Sequence, residues 1–120
     1  MEDILSGENN LNSMKLIDLV AYFRHGGTFE NFCRTNGLNP ESEVIEIYAQ
    51  EPVGLESQLG FFPIEETKGR AEFLSDGIKY HTLFDFYYFL DAIEDVISKK
   101  IILKDSELAQ TLLSYALKDA

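Results

Sequence analysis

The chain has 120 residues, with 21 acidic against 10 basic and a net charge of −11. That length suits one domain, able to bury about two thirds of the surface its unfolded form exposes, and a composition 45% hydrophobic and 12% aromatic excludes a disordered acidic tail. One cysteine, Cys33, excludes an internal disulfide framework and a multi-cysteine metal site, and is expected as a small buried hydrophobe.

Residues 1–12 read as a polar leader ahead of a single globular domain over 13–120. The start, Met1-Glu2-Asp3-Ile4-Leu5, has neither the basic nor the apolar region of a signal peptide. No run approaches the roughly 18–20 apolar residues of a membrane span, so a cytoplasmic protein is expected.

A first helix is expected from Ser13 to His25, with Leu16, Leu19, Val20 and Phe23 on one buried face. Gly26-Gly27 ends it. Thr28 caps a second helix, Phe29 to Asn36, with Phe29, Phe32 and Cys33 inward and Leu38 folding back past the stop at Gly37. Asn39-Pro40-Glu41 is a helix-start signal, and it favours a third helix through Tyr48, although Ile45, Ile47 and Ala49 also alternate as a strand would. Three strands follow: Leu59 to Glu65, Arg70 to Ser75 and Ile78 to Thr82. Asp76-Gly77 makes the hairpin turn, and Pro63 assigns the first strand to an edge. Thr82 to Asp85 resembles a capping box for a helix running to Lys99, with Phe86, Leu90, Ile93 and Ile97 as its core stripe. After the connector Ile101-Ile102-Leu103, a last helix opens at Asp105 with Leu108, Leu112 and Tyr115 inward. The fold class is α+β, helices at both ends around a small three-stranded antiparallel sheet.

The charge is segregated. From Thr35 to Thr67 there are seven acids and no Lys or Arg; from Tyr80 to Ser98 there are four, again with no Lys or Arg. The remaining ten acids and ten bases cancel, so two windows hold the net charge. Uniformly scattered acid would serve only solubility; segregated acid points to a negative field and a basic partner, set against the plainer reading that both windows are solvated faces. Direct contact with a nucleic-acid backbone is disfavoured, because phosphates need Lys and Arg.

Catalytic and metal signals are weak. His25 suits a helix C-terminus and His81 a strand end, and neither has a ligand partner at zinc spacing. Cys33 with His25 lacks a third group to orient the histidine. No nucleophile elbow, phosphate loop or EF-hand spacing occurs. Neither a catalytic residue nor a cofactor or metal is expected, and the chain does not read as an enzyme.

The stretch "DFYYFLDAIED" is the best candidate for function. Tyr88, Asp91 and Asp95 share one helical row, and Tyr87, Asp91 and Glu94 the next. Tyrosine brings buried area with a polar handle, and carboxylates steer encounter and accept Arg in bidentate pairs. The competing reading leaves one tyrosine in the core, one at its rim and the acids as a solvated back. The Glu41 to Glu66 window, ending in Glu65 and Glu66, would add a broad negative rim.

The segments "MKLIDLVAYF", "GGTFENFC", "LNPESEVIEIYAQEP", "FFPIEET" and "LFDFYYFLDAIED" together resemble a bacterial immunity protein of the contact-dependent growth inhibition type. The resemblance implies a small acidic cytoplasmic protein, monomeric when free, that binds and neutralises a toxin's basic nuclease domain. The tyrosine-acid helix is also similar to the nuclease-binding helix of colicin immunity proteins, but those are all-helical and shorter, so no contact residue carries over. The alternatives are a small acidic chaperone for a secreted effector, which would dimerise, and an acidic nucleic-acid mimic.

Overall fold

Leu16, Leu19, Val20 and Phe23 recur at the spacing of one helical face, and they form the buried side of helix α1, Leu16–Arg24. The structure is a computed structural model, and it describes residues 14–118. The polar leader expected over 1–12 lies outside the described residues.

Helix α2, Phe29–Asn36, starts where its sequence says it should: the Thr28 hydroxyl accepts from the Asn31 N–H at 3.2 Å. Gly37 ends it in the left-handed conformation, φ 69°, and the Leu38 N–H closes the cap on the Cys33 carbonyl at 2.8 Å. Phe32 and Cys33 are buried; Phe29 is only partly so.

The third helix expected from Asn39 through Tyr48 is replaced by a turn and a strand. No helix continues from Asn39. Its side chain accepts from the Glu41 N–H at 2.9 Å and its carbonyl from the Ser42 N–H at 3.0 Å, so the start signal is spent on a single turn. The chain then extends into strand β1, Ile45–Gln50. Ile45, Ile47 and Ala49 are buried on one side of it, so the alternation outweighs the local cap.

Strand β2, Leu59–Pro63, is shorter than expected and turns into a four-residue helix, α3, Ile64–Thr67. Strands β3, Glu72–Ser75, and β4, Ile78–Asp85, form the hairpin at Asp76-Gly77. The sheet therefore has four strands, not three, all antiparallel in the order β2-β1-β4-β3. Pro63 lies on an edge strand as expected.

Strand β4 runs three residues past Thr82, because the helix cap is Asp85, not Thr82: its carboxylate accepts from the Tyr88 N–H at 2.8 Å. Helix α4, Phe86–Ser98, follows at once, and helix α5, Asp105–Lys118, closes the fold. Two core stripes sit differently from expectation. Helix α4 buries Phe86, Phe89, Ile93 and Val96, leaving Leu90 partly buried and Ile97 50% exposed. Helix α5 buries Leu108, Ala109, Leu112 and Leu113, leaving Tyr115 55% exposed.

Helices α1, α2, α4 and α5 form one layer on one side of the sheet; the short α3 folds toward the other side, where its Thr67 bonds to Glu46. Phe23, Phe32, Phe61, Phe86 and Phe89 meet there in tilted and edge-on contacts with centroids 5.1–5.9 Å apart. Arg24 ties α1 to the start of α5, donating to the Leu103 carbonyl at 2.6 Å and to Asp105 at 3.1 Å.

The other side of the sheet is concave. Between Ile47 and Tyr48 the pairing with β4 jumps from Phe84 to Thr82, so Leu83 is an extra residue, a β-bulge. Bulges bend and twist their strand. The bend wraps the sheet around Tyr48, which is fully buried beneath the rings of Phe62 and Phe73. Gly60 lets those aromatics close in; a Cβ there would lie 2.8 Å from both the Phe62 and Tyr80 rings.

Candidate functional site: an acidic tyrosine face

Helix α4 presses four apolar side chains into the core, and its 3.6-residue period leaves Leu90 and Ala92 partly covered and sends the rest to solvent. Tyr87 is 54% and Tyr88 45% exposed, and Asp91, Glu94 and Asp95 are exposed as well. All five expected residues on α4 therefore share its outer side. Leu90 and Ile97 form an apolar shelf along one flank of that strip, next to Glu94.

Asp95 differs from the others. Lys99 sits one turn later with its ammonium 3.1 Å from the Asp95 carboxylate, so part of that charge is answered within the helix. Among the described residues, Asp91 and Glu94 have no such ion pair.

Glu65 and Glu66 are both exposed on α3. The register pairs Ile45 with Pro63 and Glu46 with Asp85, so α3 and α4 leave from the same end of the sheet. Their starting strands are two strand spacings apart, roughly 10 Å. The two glutamates thus lie at the same end of the sheet as the start of α4, but on a helix whose Thr67 bonds to Glu46 on the concave side, so they do not extend the tyrosine strip. Glu66 also lines a cleft with Leu38, Ile45, Phe61 and Pro63.

Two residues beside the strip escaped the sequence reading. Tyr115 of α5 stands across from Tyr88, and Phe84 of β4 lies under it, with the Phe84 and Tyr88 rings 5.6 Å apart. Tyr115 was expected inward at i+3 from Leu112. The available signal was Ala109 and Ala116, seven residues apart, where small side chains let α5 approach its neighbours; their row leaves Tyr115 on the rim. For α4 the signal was Phe89, whose ring draws the buried stripe round from Leu90 and Ile97.

The remaining chemistry-bearing side chains are engaged in the fold. His25 caps α1 with its Nε2 3.3 Å from Asp105, and His81 contacts the Thr82 carbonyl through Nδ1 at 2.9 Å. Cys33 is fully buried, which pushes its thiol up and keeps it protonated. Under the concave face, Tyr48 donates to the Arg70 carbonyl, and its oxygen lies 3.2 Å from Glu46; Thr67 donates to the same Glu46 oxygen at 2.9 Å. Among the described residues no three His, Cys, Asp or Glu side chains are grouped to hold a metal, and no helix is long and apolar enough to cross a membrane.

No protein-family model, no curated protein and no solved structure matches the chain.

Proposed function

We propose that this is a non-enzymatic immunity protein: a cytoplasmic, monomeric inhibitor that binds a basic toxin, a nuclease domain being the best fit, and neutralises it. The observation that carries the reading is the outer side of α4, where Tyr87, Tyr88, Asp91, Glu94 and Asp95 are exposed together in a window with no Lys or Arg from Tyr80 to Ser98. A helix already seated by its other side has little use in folding for Tyr87, and Tyr88, though its ring rests on Phe84, leaves 45% of its surface to solvent. At an interface the same residues bury large area at little entropic cost, and the carboxylates raise the encounter rate. The Leu90–Ile97 shelf beside them favours a protein partner over a nucleic acid, since a phosphate backbone offers nothing to cover it.

The test is to identify the gene immediately upstream and, where it encodes a large secreted protein, to co-express the chain with that protein's C-terminal domain. Restored growth and co-purification are expected. Without either, the reading fails. Within that complex, Asp91→Lys should weaken binding more than Asp95→Lys, because Lys99 already answers Asp95. Equal, negligible effects from both would move the contact surface elsewhere, to the Glu65–Glu66 side first.

A further inference from the structure

Leu83, Phe84 and Asp85 are consecutive, yet all three line one small cavity of about 180 Å³ together with Tyr88, Tyr115 and Ala116. The bulge makes this possible. Leu83 and Phe84 both lean to the helix layer, where Leu83 joins the core and Phe84 stacks on Phe89 with centroids 6.1 Å apart and planes 21° apart. The result is a slot floored by Leu83 and Ala116, walled by Phe84, Tyr88 and Tyr115, and bordered by one carboxylate. Its volume is below the ~300–1,000 Å³ of small-molecule sites, and suits one side chain.

We infer that this slot receives the guanidinium of an arginine projecting from the basic protein partner, with Asp85 as its counter-charge. The inference rests on the binding reading above and names the anchor within it. Asp85 is the only charged residue in the lining. One of its oxygens is held by the Tyr88 N–H at 2.8 Å; among the described residues the other has no hydrogen-bond partner. An entering apolar side chain would strip water from that carboxylate and return nothing. An anion would meet the carboxylate directly. A lysine would satisfy the charge but present no plane to the rings. Arginine does both, stacking on aromatic faces while its N–H fork reaches a carboxylate. The start of α4 carries about half a positive charge, which opposes any cation; the full negative charge of Asp85 exceeds it. Charge complementarity extends past the rim, because Asp91 and Asp95 continue along the same outer side of α4.

The probe is a blocked Gly-Arg-Gly peptide titrated into the isotope-labelled full chain and followed by NMR. Its controls replace arginine with citrulline, neutral but nearly the same shape, or with lysine. Saturable shifts at Tyr88, Tyr115 and Asp85 are expected, with binding about three- to fivefold weaker for each control peptide. Asp85→Asn keeps the helix cap, since Asn caps as well as Asp, and Tyr115→Ala removes an exposed ring; both should lower arginine affinity by a similar factor. Equal binding of the citrulline peptide, or shifts that map away from the slot, would overturn the inference. The two readings fail separately. An Asp85→Asn chain that retains full affinity for a toxin domain captured by the wild type sinks the slot alone. Arginine binding that depends on Asp85, with no toxin domain captured, sinks the immunity reading alone.

Discussion

The rings of Phe62 and Phe73 lie 5.0 Å apart although they belong to the two opposite edge strands, β2 and β3. Three strand spacings separate those edges, about 14 Å in a flat sheet. The contact is therefore a direct measure of how far the sheet has closed on itself, and Gly60 sits where the closure is tightest. Gly60→Ala should push the Phe62 and Tyr80 rings apart and cost about 1–3 kcal/mol, the usual penalty of overfilling a packed site. Urea unfolding measures the loss, and the near-ultraviolet circular dichroism of the aromatic cluster should weaken with it. An unchanged midpoint would mean that the closure is loose.

Tyr48 anchors the same concave side from within. Tyr48→Phe keeps the ring but leaves the Arg70 carbonyl without its donor, and should cost about 1–3 kcal/mol. Burial raises the Tyr48 phenol above its ordinary value of 10.0. In alkali the unfolded phenol therefore loses its proton first, and the folded state binds more protons. Its contribution is complete below pH 10 and declines as pH rises through the folded value. Lys15, held up by Glu56, titrates with the same sign. The Tyr48 share is thus the difference in alkaline slope between the wild type and Tyr48→Phe, and the variant's slope should be the flatter.

The sequence announced some of this and concealed the rest for identifiable reasons. Helix α2 was legible to the residue because Thr28, Asn36-Gly37 and Leu38 are each satisfied by neighbours within the same segment. The Asp76-Gly77 hairpin was legible for the same reason. Strand β1 was concealed because Asn39-Pro40 issues a local helix order that the alternation of Ile45, Ile47 and Ala49 overrules only once a helix layer exists to bury them. Thr82 resembles a cap because a bulge at Leu83 breaks the alternation that would carry β4 on to Asp85. The acidic strip was readable from spacing alone: five of its residues do share the outer side of α4. The slot beside it was not, since Tyr115 comes from another helix and Phe84 reaches the slot only through the bulge.

Arg24 closes the joint between α1 and α5, two segments joined by few other polar contacts. Its guanidinium and the Asp105 carboxylate are 17% and 26% exposed, so the pair is only partly screened. Arg24→Met should keep most of the stem packing, leave the Leu103 carbonyl unpaired, and cost about 1–2 kcal/mol. Hydrogen exchange is the more telling measurement. Amides at the first turn of α5 should exchange faster while those of β1 do not; uniform acceleration would mean that Arg24 supports the whole fold.

Cys33 supplies a clock for global opening. Its thiol is fully buried and raised by burial, so a native chain should react with thiol reagents only as fast as it unfolds. Modification should be slow in buffer, accelerate with urea, and proceed faster in Gly60→Ala. Prompt modification of the folded wild type would contradict the burial.

The bulge at Leu83 has a further consequence. Pairing with β1 is regular on both sides of it, Tyr48 with Thr82 before and Ile47 with Phe84 after. Strand β4 therefore behaves as two half-strands joined by an articulation. The first half belongs to the hairpin and the aromatic bowl around Tyr48; the second belongs to the platform that carries α4. The residue at that articulation, Leu83, packs in the core and lines the slot beneath Tyr88, so the two halves meet at a filled joint shared by the bowl and the tyrosine strip.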